Sequence, residues 1–142
     1  MQAAHKWMNV AWNELRVAEY PGKAVNPRII EYHAKTSLGA KDDATAWCSS
    51  FVNWCMGQVG IDGTNSAWAR NWLNWGLALT VPQYGCLVLV ERNGPGGDSH
   101  VFFYLDQDDE FFYGLGGNQK DQVCVQLHPK KLLLGFRWPE YD

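Results

Sequence analysis

The sequence predicts an α+β domain in which N-terminal helices pack on an antiparallel sheet. Three observations carry this. Apolar residues recur at helical spacing through the first half of the chain. After Gly76 the pattern becomes short apolar runs separated by turn clusters. No linker, internal repeat or low-complexity segment divides the 142 residues, so the chain is read as one domain, 1–142.

The first helix is expected over residues 7–19, where Trp7, Val10, Ala11, Leu15 and Ala18 line one face and Pro21-Gly22 ends the run. Asn26-Pro27 offers an N-cap followed by proline at the first helical position, so a short second helix should carry Ile29, Ile30 and His33 before Gly39. A polar loop, Lys41 to Thr45, leads into a third helix. There Cys48, Phe51, Val52, Cys55 and Val59 form a stripe, with Thr45 as the expected cap and Gly60 as the stop. A fourth, short helix is expected from about Ser66 to Trp75, with Trp68, Trp72 and Trp75 on one face. Strands should follow over 85–90, 100–105, 111–113, 123–127 and 132–138. The turns between them fall at Asn93–Asp98, Asp106–Glu110 and Gly116-Gly117-Asn118-Gln119.

Composition narrows the function. Twelve basic against fifteen acidic residues leave a formal charge of -3, the wrong sign for an electrostatically driven nucleic-acid binder. No apolar stretch reaches the ~18 residues that a membrane-spanning helix needs. The N-terminal residues lack the basic, apolar and small-residue regions of a signal peptide. The four cysteines, Cys48, Cys55, Cys86 and Cys124, are irregularly spaced and contain no C-x-x-C pair. They are read as thiols, with no metal site. Eight Trp, six Tyr and six Phe point first to packing and second to a groove that could hold sugar or peptide.

The chemistry concentrates at Cys48. A cysteine in the first turn of a helix meets the positive end of the dipole and unpaired N–H groups, which favour the thiolate and can also hold an oxyanion. Ser49 and Ser50 leave room there, and Trp47, directly before the nucleophile, is the candidate substrate wall. A thiolate needs an imidazole partner. His5, His33 and His128 read more simply as surface or packing residues. His100 opens an apolar strand after a glycine-rich turn and is the candidate base. Asn118 is the candidate for orienting its ring, with Gln119 and Asp121 as the other choices.

The run Ala46-Trp47-Cys48-Ser49-Ser50-Phe51-Val52-Asn53-Trp54-Cys55, the later Ser99-His100-Val101-Phe102-Phe103 and the Gly116-Gly117-Asn118-Gln119 segment together resemble the NlpC and CHAP group of papain-like cysteine hydrolases. Asn26-Pro27-Arg28-Ile29-Ile30 and Leu134-Gly135-Phe136-Arg137-Trp138-Pro139 extend the resemblance over nearly the whole chain. It is nearest to small bacterial and phage-associated members. The chain departs from the commoner pattern in Pro95-Gly96-Gly97-Asp98 before the histidine and in Ser99 where glycine is frequent.

The resemblance implies a papain-like fold, with Cys48 as nucleophile, His100 as general base and acid and Asn118 as the orienting residue; Trp47 and Ser49, on either side of the nucleophile, are expected at the substrate. It implies an amide bond of peptidoglycan as substrate, cut as an endopeptidase or N-acetylmuramoyl-L-alanine amidase, and no metal or cofactor. With no signal peptide read, action on the wall in the periplasm or outside the cell requires a phage lysis route or a specialised secretion system. A cognate inhibitor or immunity protein would be an expected partner. Two rival readings are a non-catalytic wall- or glycan-binding module and a papain-like peptidase or transferase acting on proteins.

Overall fold

The structure is a computed structural model; it describes residues 2–92 and 98–140, with side chains from residue 6 onward. Three helices, α1 (Gln2–Asn13), α2 (Pro27–His33) and α3 (Cys48–Gln58), precede a 3₁₀ segment (Ala69–Asn74) and six strands. The strands are β1 (Leu77–Leu79), β2 (Leu87–Glu91), β3 (Ser99–Gln107), β4 (Phe111–Gln119), β5 (Gln122–Pro129) and β6 (Leu133–Trp138). They form one antiparallel sheet in the order β1-β6-β2-β3-β4-β5. The α+β architecture is as expected.

Local differences have tertiary causes. The first helix stops at Asn13, well short of Glu19, because the following residues pair with the sheet. Arg16 N–H donates to Val123 O at 2.9 Å, and Val123 N–H donates back to Val17 O at 2.8 Å. Arg16 turns the chain with φ 78°. The segment around Trp72 is a 3₁₀ helix, because Ser66 is tied to α3: Ser49 Oγ donates to Ser66 O at 2.6 Å, and Asn53 Nδ2 donates to the same oxygen. Trp72 is fully buried, whereas Trp68 is 60% exposed, so the three tryptophans do not share one face. β1 was not anticipated.

Gly116-Gly117-Asn118-Gln119 belongs to strand β4, where a turn was expected. The β4–β5 register shifts between Gly116 and Gln119, and the turn itself is made by Lys120 and Asp121, both at positive φ. Of the expected turn before His100, residues 93–97 lie outside the described residues. Arg92 N–H donates to Asp98 O at 2.7 Å across it.

Period-two alternation divides β3 between two packing faces. Phe103 meets Phe51 of α3, with ring centroids 6.2 Å apart. On the other face Tyr104 meets Phe112, and Phe112 meets Phe136. Residues 99–104 of β3 are buried on both sides, so the strand that carries His100 is a central core element. Trp7 joins α1 to the sheet: its Nε1 donates to Gly85 O at 2.8 Å and its ring meets Trp138 edge-on at 5.3 Å.

Candidate active site

Helix α3 begins at Cys48. Its cap residue is Trp47, which supplies no side-chain hydrogen bond; Thr45 is instead held in the preceding loop, its N–H donating to Asp42 Oδ1 at 2.7 Å. The first amides of the helix are thus left without a capping oxygen, which suits them to hold developing negative charge. Cys48 is only 4% exposed. The amides of Val101, Ser49 and Cys48 itself, together with the Arg92 cation, favour its thiolate. Burial outweighs them and pushes the thiol above its ordinary pKa. Burial thus opposes the thiolate that the helix end favours, because a buried anion loses its hydration.

His100 follows the same rule with the opposite sign. It is fully buried, and burial, followed by the Arg92 charge, pulls it down to about 3, against the favourable hydrogen bond it donates to Gln119. The imidazole is neutral. The Val101 amide that favours the Cys48 thiolate belongs to the residue directly after His100 on β3.

The ring's tautomer follows from its neighbours. Gln119 Nε2 donates to Gly114 O at 3.1 Å and to Cys124 O at 2.7 Å, and carbonyl oxygens can only accept. The carboxamide oxygen must therefore point the other way. There it meets His100 Nε2 at 3.0 Å and His128 Nε2 at 2.9 Å. Both imidazoles carry their proton on Nε2. His100 Nδ1 is left unprotonated, buried and without a hydrogen-bond partner among the described residues, which is the state a general base needs.

Of the three candidates for orienting the ring, Gln119 is the one in contact with His100. Asn118 is half-buried with φ 57°, and Asp121 is exposed on the turn; neither side chain bonds the ring. The reason lies in the glycines. Gln119 folds back along its own strand, and a Cβ on Gly116 would come within 2.8 Å of Gln119 Oε1. Gly114 and Gly116 also leave space for the Phe102 ring.

Trp47 and Ser49, expected at the substrate, are both fully buried in this arrangement. Trp47 stacks on Tyr32 at 5.8 Å and donates from Nε1 to Glu19 Oε2 at 2.9 Å. Ser49 Oγ accepts from Trp72 Nε1 at 2.8 Å while donating to Ser66 O. Each holds α3 in place.

Two residues near the site were missed. His128 on β5 contacts Gln119, and Arg92 at the end of β2 acts on Cys48, His100 and His128 alike. Val90 pairs with His100, so two residues further on Arg92 falls on the same strand face. That pairing could have been guessed from the hairpin; the His128 contact could not, because a bulge separates it from any simple register. All four cysteines are free thiols. Among the described residues no group of three or more His, Cys, Asp or Glu is arranged to hold a metal ion, and no helix is long and apolar enough to cross a membrane.

Comparison with solved structures places this architecture among NlpC/P60 folds. The P60 domain of an antigen from M. avium subspecies paratuberculosis superposes with a TM-score of 0.62 at 19% identity, covering 99% of this chain and 96% of that one. An NlpC/P60 family protein from Bacillus cereus ATCC 10987 gives 0.57 at 17%, covering 95% of this chain and 39% of that one. A protein similar to lipoprotein, of the NLP/P60 family, from Staphylococcus aureus subsp. aureus Mu50 gives 0.55 at 15%, covering 99% and 42%. The chain therefore spans less than half the length of the latter two. No family model matches the sequence, and no curated protein matches it. The class defined here is the NlpC/P60-type fold.

Proposed function

We propose that this protein is a cysteine hydrolase that cleaves an amide bond of peptidoglycan, as an endopeptidase or an N-acetylmuramoyl-L-alanine amidase. The observation that supports it most directly is the His100 ring, held by Gln119 through Nε2 so that an unprotonated Nδ1 is left on the strand residue next to the Cys48 sulfur contact.

In this reading Cys48 gives its proton to His100 Nδ1 as Sγ attacks the carbonyl carbon of the scissile amide. The oxyanion formed is held by the uncapped amides at the start of α3. Collapse breaks the C–N bond, and the leaving nitrogen takes the proton from His100. A water, deprotonated by the same ring, then attacks the thioester; the C–S bond breaks, releasing a carboxylate and restoring the thiol. Gln119 takes the orienting role first given to Asn118. Burial disfavours the charged form of each group, which suits a proton transfer that accompanies attack rather than precedes it.

The test is digestion of purified peptidoglycan by the protein and by Cys48→Ala, with fragments identified by mass spectrometry. New amine and carboxyl termini made only by the parent support the reading; identical fragment sets from both overturn it. We further propose that the protein acts on the wall after a phage-lysis or dedicated-secretion delivery, with a cognate inhibitor protecting the producer. Growth arrest confined to a form directed to the periplasm is the expected result, and equal arrest by cytoplasmic protein overturns this part.

A further inference from the structure

Gln119 is shared by two imidazoles, and its hydrogen bonding is saturated. Its Nε2 protons go to Gly114 O and Cys124 O, and its one oxygen receives Nε2–H from both His100 and His128. His128 is itself fixed. It is 6% exposed, and its ring stacks on Phe102 with centroids 4.0 Å apart and planes 11° apart. Phe102 in turn sits in the space left by Gly114 and Gly116 of β4 and lies 5.9 Å from the His100 ring. The two histidine rings are 5.2 Å apart. Substitution by an apolar ring would preserve the stack and lose only the donor.

We propose that His128 is a positioning residue: its Nε2–H holds the Gln119 oxygen in place, and through that oxygen keeps the His100 proton on Nε2 and His100 Nδ1 open for the Cys48 proton. This rests on reading Cys48 and His100 as a nucleophile and base. Without the second donor the carboxamide has one fewer restraint, and the His100 ring is free to exchange tautomers or turn. The charged groups that act on this cluster are Arg92, which bears on both rings, and His128, which bears on His100.

The experiment combines ¹⁵N NMR of the histidine rings with the rate at which iodoacetamide alkylates Cys48, followed site by site by mass spectrometry to separate it from Cys55, Cys86 and Cys124. Both are read without peptidoglycan, so they report on His128 whatever the substrate proves to be. In the parent protein His100 and His128 should both show a protonated Nε2 and an unprotonated Nδ1. His128→Phe should move the His100 nitrogens toward a tautomer average and slow Cys48 alkylation roughly five- to tenfold, the order expected for loss of one buried hydrogen bond. His128→Gln, which returns an N–H near the Nε2 position, should restore the rate to within about twofold. A parent His128 protonated on Nδ1 would overturn the proposal without any variant. So would His100 signals and a Cys48 rate unchanged in His128→Phe, or a His128→Gln protein as impaired as His128→Phe.

Discussion

The backbone amide of Val101, the residue directly after His100 on β3, favours the Cys48 thiolate, which ties the start of α3 to the strand that carries the imidazole. Helix α3 is pinned on the side of this contact by Phe51 against Phe103 and on the other by Ser49 against Ser66 and Trp72. The placement of Cys48 is therefore set by core packing and not by a surface loop.

Cys48→Ala should abolish hydrolysis, with a fall of at least about 10³-fold, because no other group at the helix start can form the acyl intermediate. Folding should be nearly unaffected, since alanine keeps the helix and loses one small buried atom. Fragment yield from peptidoglycan, measured beside a urea unfolding curve, separates the two effects.

Gln119→Ala removes the acceptor of two imidazoles and the donor of two carbonyls. A stability loss of about 2–4 kcal/mol is expected, with a further activity loss of roughly 10²-fold as the base loses its set tautomer. Asn118→Ala should behave differently. Its cost is that of a side chain without local hydrogen bonding at φ 57°, about 1 kcal/mol, and Asn118→Gly should recover it. Turnover by the folded fraction of each variant decides which residue orients His100; a larger catalytic loss in Asn118→Gly than in Gln119→Ala would reverse the assignment.

Trp47→Ala should act on stability and not on substrate affinity. The ring is fully buried, so a loss of about 3–5 kcal/mol is expected, whereas Trp47→Phe, which gives up the bond to Glu19, should cost nearer 1 kcal/mol. An unchanged melting curve combined with a raised KM would return Trp47 to the substrate wall.

Acid should weaken the fold before its carboxylates titrate. His100 is held at about 3 and His128 at about 4, both below the ordinary 6.5, and His33 is lowered as well, each chiefly by burial. These rings favour the native state while neutral. Their contribution is complete above about pH 6.5 and is lost as pH falls toward the folded values, because the unfolded chain takes up protons first. The slope approaches ~1.4 kcal/mol per pH unit for each ring that is proton-bound only when unfolded. Urea midpoints at pH 7.5, 6.5, 5.5 and 4.5 should drop steadily below 6.5; a flat series would show that the rings are already hydrated in the native protein.

The parts of this site that were legible in the sequence are those fixed by local signals. Cys48 could be placed in a first helical turn because the stripe through Phe51, Val52 and Cys55 sets the phase of α3, and His100 could be placed on a strand because the apolar run after it is unbroken. The α+β class followed from the change of period after Gly76. Non-local facts were not legible. Adjacency to Cys48 suggested exposure for Trp47 and Ser49, but neighbours at a helix start point in different directions, and both point inward. Thr45 looked like a cap, yet Asp42 claims its amide. The Gly-Gly-Asn-Gln segment has the composition of a turn, and only the opposing ring of Phe102 and the back-folded Gln119 show why glycines occur inside a strand. His128 entered the site through pairing that a bulge hides.

The position of β6 has a consequence for biosynthesis. Because Leu133–Trp138 inserts between β1 and β2, the hydrogen-bonding groups along the outer margin of β2 have no partner until this late segment has left the ribosome. The helix that carries Cys48 and the strand that carries His100 are thus both made before the sheet that must carry them is complete, and a chain interrupted ahead of residue 133 presents an open strand margin inviting association with other chains.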